Sequence, residues 1–235
     1  MGFNSFTFIL IFLPILLIGW HVLNKFEKYT LSDTFLMLMS LYFYYSFGLS
    51  FLLVLLLSIA VNYGLSFIIE KKPKSSKIIK IVGVLFNLML LFYFKYLGFF
   101  IDNINAISGT HLSVKEILMP IGISFFTFGQ ISFIVDRANN EARHYSFLKY
   151  SLYTVYFPKL IQGPIAFHKE MIDQFDNKEL RRFDTDSFAM GMTSFIIGLA
   201  KKVILADTLA GAVNYGFQQT YFLDTVTVIA VMLAY

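Results

Sequence analysis

The run FLLVLLLSIAVNYGLSFII at residues 51–69, closed by Glu70-Lys71-Lys72-Pro73-Lys74, decides the fold class. A helix needs about 20 apolar residues to cross a hydrocarbon core, and this run has that length without a charged side chain. A membrane β-barrel would instead alternate over segments of about ten residues. Its polar residues Ser58, Asn62 and Ser66 recur every fourth position and so share one helix face. Hydrogen bonding to neighbouring helices is the expected use of that face, with a cavity wall as the alternative. The lysine cluster that follows, extended by Lys77 and Lys80, marks a cytoplasmic loop by the positive-inside rule.

Working upstream, Gly48-Leu49-Ser50 is an uncharged turn on the outer side. A second span, Leu31–Phe47, ends in Tyr42-Phe43-Tyr44-Tyr45, an aromatic belt of the interfacial kind. Lys25, Glu27, Lys28 and Asp33 form an inner loop, and Phe3–Leu23 is a first span with Pro14 as a tolerated kink. The N-terminus is then outside, and the first run, lacking a basic n-region and a cleavage site, reads as a retained span. Downstream, Ile78–Phe100 crosses outward, Asp102 to Lys115 is an outer loop, and Ile117–Val135 returns to Arg137, Arg143, His144 and Lys149. Lys95 falls near the outer interface, where it snorkels with Asp102 as a candidate partner.

Tyr150–Phe167 breaks this alternation. It is mostly apolar, but Lys149 precedes it, Lys169, Lys178, Arg181 and Arg182 follow it, and Pro158 and Pro164 interrupt it. A crossing segment does not carry the cytoplasmic signature at both ends. The segment is therefore expected to dip into the bilayer and return on the same side, as irregular backbone does when protein or a watery cavity surrounds it.

Ser187–Gly216 is helical in pattern and carries Lys201, Lys202 and Asp207 in apolar surroundings. Lys201 shares a stripe with Ser194 and Gly198. Two readings stand side by side: a helix lying at the interface, or a cation facing a polar chamber suited to an anionic ligand. The final run Thr225–Tyr235 falls short of the ~20 residues of a crossing helix, so the expectation is a chain truncated within a span. Residues 1–235 read as a single membrane domain without internal repeat or low-complexity linker.

Composition agrees. The chain is 57% hydrophobic and 14% charged, where a soluble domain is about 45–50% apolar and about 25% charged. The net charge of +4 comes from lysines placed in loops, which makes it a topology signal rather than a nucleic-acid one. With no cysteine, disulfides, thiolate metal sites and a cysteine nucleophile are excluded. His21, His111, His144 and His168 lie at loops or span ends without zinc-type spacing, and are expected to be solvated or interfacial. The stretch from His168 to Asp173 fits the H-x4-D pattern of glycerolipid acyltransferases, but two specified residues without that soluble fold do not make a site. Nucleophile-elbow, P-loop and dinucleotide-binding motifs are absent.

Three stretches carry a resemblance. They are Met119-Pro120-Ile121-Gly122-Ile123-Ser124-Phe125-Phe126-Thr127-Phe128 continuing to Asp136, then Phe157-Pro158-Lys159-Leu160-Ile161-Gln162-Gly163-Pro164-Ile165, and Gly198-Leu199-Ala200-Lys201-Lys202-Val203-Ile204-Leu205-Ala206-Asp207. Phe92-Tyr93-Phe94-Lys95-Tyr96 is a weaker fourth. In order and spacing the chain resembles the N-terminal part of the membrane-bound O-acyltransferase family, in its bacterial alginate O-acetyltransferase subgroup.

The resemblance implies an all-α polytopic integral membrane helical bundle with re-entrant segments, in the bacterial inner membrane. It implies transfer of acetyl from cytoplasmic acetyl-CoA to hydroxyls of an extracytoplasmic polysaccharide such as alginate or another cell-surface glycan, with a periplasmic acetyltransferase as partner. Gln162, Gly163 and Pro164 would shape the path of the acyl donor, and Lys201 and Lys202 would meet phosphate-like charge. The family's essential histidine lies beyond the region matched. No catalytic residue is assigned here, and the isolated chain is expected to be inactive. Arg137-Ala138-Asn139-Asn140 departs from the tyrosine and arginine usual after Asp136. Two other classes stay open: a non-catalytic membrane scaffold for a periplasmic transferase, and a transporter, which would show paired intramembrane ions or matching broken helices.

Overall fold

The computed structural model describes residues 1–111, 117–163, 166–219 and 224–235, and all regular structure among the described residues is helical. The helices are α1 Leu13–Lys25, α2 Tyr29–Tyr45, α3 Leu49–Lys71, α4 Ser76–Leu91, α5 Leu97–Ser108, α6 Ile123–Ala138, α7 Phe147–Val155, α8 Phe157–Leu160, α9 His168–Asp176, α10 Thr185–Ala200, α11 Asp207–Gln218 and α12 Thr225–Ala234. Wide π-helical turns at Phe8–Phe12, Phe92–Tyr96 and Lys201–Ala206 lead into α1 or join α4 to α5 and α10 to α11.

Four continuous helical runs are long and apolar enough to cross a membrane: Phe8–Lys25, Leu49–Lys71, Pro73–Ser108 and Thr185–Gln218. The polytopic helical bundle read from the sequence is therefore present. The helix boundaries differ from the expected ones, most at two places. Asp102, expected in a loop, lies inside α5, because the run from Pro73 continues helically to Ser108. The fifth apolar run becomes helical only at Ile123, since Pro120 and a left-handed Gly122 (φ +75°) hold its lead-in out of the helix.

The chain divides into two compact units, Leu16–Arg182 and a smaller one of Met1–Ile15 with Phe183–Tyr235. In the larger unit α4 packs on α6, α3 on both, and α2 on α7. Close approach of α4 and α6 depends on a small residue, as is usual between membrane helices. A Cβ at Gly83 would sit 3.0 Å from Ile134. In the smaller unit α12 folds back on α11, with Gly216 against Val231 and the rings of Phe217 and Tyr235 5.9 Å apart. Asp184 caps α10 by accepting from the Ser187 N–H at 2.9 Å.

Candidate functional site

The segment flanked by basic residues on both sides folds as a hairpin. Its outgoing arm is α7 and α8. Pro158 has no N–H to return to Thr154, so the helix breaks at Tyr156 and restarts. The chain turns at Ile161 and Gln162 and comes back to α9. Both arms end in one ionic cluster. Lys149 Nζ, at the start of α7, lies 2.7 Å from Asp33 Oδ2 and 2.8 Å from Asp176 Oδ1. Arg181 Nη2 donates to Asp33 Oδ1 at 2.6 Å, and its guanidinium stacks on Trp20 and Tyr29. Arg143 joins Asp173 and Asp176 at 2.9 and 3.0 Å. Nearby, Glu70 at the end of α3 pairs with Arg137 and His144. The loops at residues 25–33, 70–80, 137–149 and 169–182, all read as lying on one side, thus meet each other through these pairs. The hairpin leaves from this surface and returns to it.

A second polar layer lies deeper. Gln130 Oε1 on α6 accepts from Ser58 Oγ at 3.2 Å, Asn62 Nδ2 at 2.5 Å and Tyr150 OH at 3.3 Å. Asn87 on α4 exchanges amide hydrogen bonds with Asn62 at 2.7 and 3.2 Å. All five side chains are buried. The face of Ser58 and Asn62 therefore serves interhelical bonding, while Ser66 turns back to the Tyr63 carbonyl.

At the far end, the first two resembling motifs meet. The Gly122 backbone touches that of Leu160, and Tyr44 OH donates to the Ile121 carbonyl at 2.7 Å. Phe157 N–H reaches Ser40 Oγ, and its ring lies 5.4 Å from that of Phe43. Tyr153 OH bridges the Gly129 and Ala166 carbonyls at 3.5 and 3.3 Å, tying the return arm to α6. Phe125, Phe126, Gly129, Tyr153, Thr154, Lys159, Leu160 and Ala166 enclose a cavity of about 20 Å³.

His168 is not a solvated histidine, contrary to the expectation. It is 3% exposed; its Nε2 lies 2.8 Å from Asp136 Oδ2 and its Nδ1 3.1 Å from Tyr145 OH. The rings of Phe133, Tyr145 and Tyr153 surround it. Burial pushes the Tyr145 phenol up from its ordinary value, against the lowering effect of Arg143, so the hydroxyl remains a proton donor. The signal was present in the sequence as Asp136 and His168 near the ends of consecutive apolar segments, but spacing alone does not show that the return arm brings them together.

Of the residues expected to handle the donor, Gln162 is exposed at the hairpin turn and Gly163 is buried against Lys159. Pro164 lies outside the described residues. Lys201 and Lys202 belong to the other unit, in the π-helical turn Lys201–Ala206, where Lys202 Nζ pairs with Asp207 Oδ1 at 2.5 Å. Lys95 does not reach Asp102 among the described residues; it lies over the ring of Tyr96. No group of three or more acidic or histidine side chains that could hold a metal occurs among the described residues.

No protein-family model and no solved structure matches the chain. Named relatives do. Over 99% of its length the chain is 33% identical to a peptidoglycan O-acetyltransferase of Helicobacter pylori, covering 50% of that protein. Over 92% of its length it is 35% identical to a probable alginate O-acetylase, AlgI, of Pseudomonas aeruginosa, covering 42% of it. A probable AlgI of Azotobacter vinelandii is 38% identical over 58% of the chain and 28% of the relative. The chain spans about half the length of the curated relatives it matches first. Through these relatives the chain matches the membrane-bound O-acyltransferase family in its N-terminal part.

Proposed function

We propose that this chain forms the front part of a membrane O-acetyltransferase that moves acetyl from cytoplasmic acetyl-CoA to hydroxyls of an extracytoplasmic polysaccharide. The observation that carries the reading is the hairpin, anchored at one face by Asp33, Lys149 and Arg181 and reaching Gly122 at the opposite end of α6. Such an element lines a route from one face of the bundle towards the other. The names of the relatives support acetyl as the group and a glycan such as alginate or peptidoglycan as the acceptor class. The cation-rich face, with Lys71 to Lys80, is the cytoplasmic one under the positive-inside rule, and the N-terminus is then outside.

In the reaction, a glycan hydroxyl oxygen attacks the thioester carbonyl, the C–O bond forms, the C–S bond breaks, and the hydroxyl proton passes through a general base to the sulfur of CoA, which leaves as the free thiol. Such a base contributes about 10²–10⁴-fold. His168 has both ring nitrogens engaged by Asp136 and Tyr145, so its role is to position the hairpin rather than to take that proton. Gln162 and Gly163 shape the turn of the hairpin. The test is transfer of labelled acetyl from acetyl-CoA to glycan by membranes carrying the full-length protein. Label remaining wholly on CoA, while a periplasmic transferase co-purifies, would replace the enzyme by a scaffold.

A further inference from the structure

Lys95 stands alone in the apolar part of the Pro73–Ser108 helix: between Lys80 and Asp102 the sequence has no other charged side chain. It belongs to the π-helical turn Phe92–Tyr96, a widening that recurs at functional places in helices. The side chain is exposed, and its Nζ lies 5.5 Å from the centre of the Tyr96 ring. No carboxylate among the described residues pairs with it. A lysine in such a run reaches for the nearest interface and draws an anion there.

Tyr96 is also one wall of an apolar groove. Leu85, Leu88, Met89 and Phe92 continue that wall along α4, and Phe128 of α6 forms the other side. All six side chains are exposed. The groove measures about 430 Å³, within the range of about 300–1,000 Å³ usual for ligand sites.

Its length and place identify what fits. From Leu85 to Tyr96 the helix rises about 16 Å at about 1.5 Å per residue, and one leaflet contributes about 15 Å of a hydrocarbon core of about 30 Å. Counted from Ile78, beside the Lys71–Lys80 loop, the groove runs from about 10 Å to about 27 Å into the core. It therefore covers the leaflet away from that loop, with Lys95 and Tyr96 at the headgroup end and Leu85 near the midplane. A crossing partner helix would need the whole core and would lay apolar surface against Lys95. An acyl chain that ends at the midplane and hangs from a phosphate at the interface meets neither obstacle.

We propose that this groove holds one acyl chain of an anionic phospholipid, whose phosphate pairs with the Lys95 ammonium while the Tyr96 ring packs at the level of the ester groups. The proposal rests on placing the Lys71–Lys80 loop at one membrane face and is independent of acyl transfer.

The test is photo-crosslinking of the full-length protein in phosphatidylcholine nanodiscs. These are doped with phosphatidylglycerol, or with phosphatidylcholine, carrying a diazirine at the end of one acyl chain, and the attachment sites are read by peptide mass spectrometry. The phosphatidylglycerol probe is expected to attach at Leu85 and Phe128 about fivefold more than the phosphatidylcholine probe, the factor that one lysine contributes towards an anionic headgroup. Lys95→Met should remove that preference and Lys95→Arg should keep it. Met89→Trp, which fills the groove, should lower attachment of both probes at Phe128, and Lys77→Met, in the loop at the other face, should change nothing. No attachment at Leu85 and Phe128, as when another part of the longer protein covers the groove, would overturn the proposal. So would equal attachment of the two probes, or a preference that survives Lys95→Met.

Discussion

Gly122 and Leu160 lie in direct backbone contact: a Cβ added to Gly122 would stand 2.1 Å from the Leu160 carbonyl oxygen. The contact joins the lead-in of α6 to the hairpin tip, and Gly122 also holds φ at +75°. Gly122→Ala therefore meets a steric and a conformational penalty together. The expected loss is about 2–4 kcal/mol, from overpacking and from a left-handed backbone on a residue with a side chain. Denaturant titration of the full-length protein in mild detergent checks it. A loss no larger than that of Gly64→Ala, where a Cβ meets nothing within 4 Å, would show that the tip is not packed in this way.

Asp33 is 1% exposed and faces both Lys149 and Arg181. Asp33→Ala leaves the largely buried Arg181 guanidinium without its carboxylate, at a cost of about 3–5 kcal/mol. Arg181→Met, which keeps apolar packing on Trp20 and Tyr29, is expected to recover part of that loss in the double variant. Purely additive losses in the double-variant cycle would mean that the two side chains do not interact.

The hairpin makes a topological claim. The chain has no native cysteine, so single substitutions report cleanly. Gln174→Cys should react with an impermeant maleimide from the same side as Lys77→Cys. Labelling of the two positions from opposite sides would turn the hairpin into a crossing segment.

His168 fastens the start of α9 to Asp136 on α6 and to Tyr145. His168→Ala removes a partner from both in a buried place, at about 1–3 kcal/mol. Proteolysis is expected to accelerate at Lys169 with little effect on cleavage at the 70–80 loop. Equal acceleration at both loops would point to global loosening instead.

Hydrogen bonds from Ser187 hold the exposed Asp184 carboxyl below its ordinary value. A depressed folded-state value means that the cap contributes above the unfolded-state value, near 3.9, and is lost as pH falls through the folded one. Hydrogen exchange at the Ser187 amide should therefore stay slow through pH 5 and lose protection below the ordinary carboxylate range. In Asp184→Asn, protection should not vary with pH over that range.

The sequence showed the long apolar helices Phe8–Lys25, Leu49–Lys71 and Pro73–Ser108 because they are continuous apolar runs, and it singled out the hairpin because positive charge stands on both sides of Tyr150–Phe167. Those are local signals. The extent of the Pro73–Ser108 helix was hidden, since Lys95 and Asp102 look like an interface and a loop, whereas a π-helical turn carries the chain through. The site was legible in part. Motifs pointed to Gly122 and Gly163, but not to their contacts with Leu160 and Lys159, which come from residues far apart in the chain or from a tight turn. The His168–Asp136 pair was missed for the same reason, because its partners are brought together only by the return arm.

The Asp33 cluster also sets an order in time. Asp33 leaves the ribosome with α2, while Arg181 lies 148 residues further along. At about 5–20 residues per second, that interval is roughly 7–30 s. Until Lys149 and then Arg181 arrive, the carboxylate has neither of its cations to enter the bundle with, and Asp33 holds the start of α2 at the water interface. The hairpin is thus the last piece of the larger unit to settle, and its arrival seals a helix made long before it.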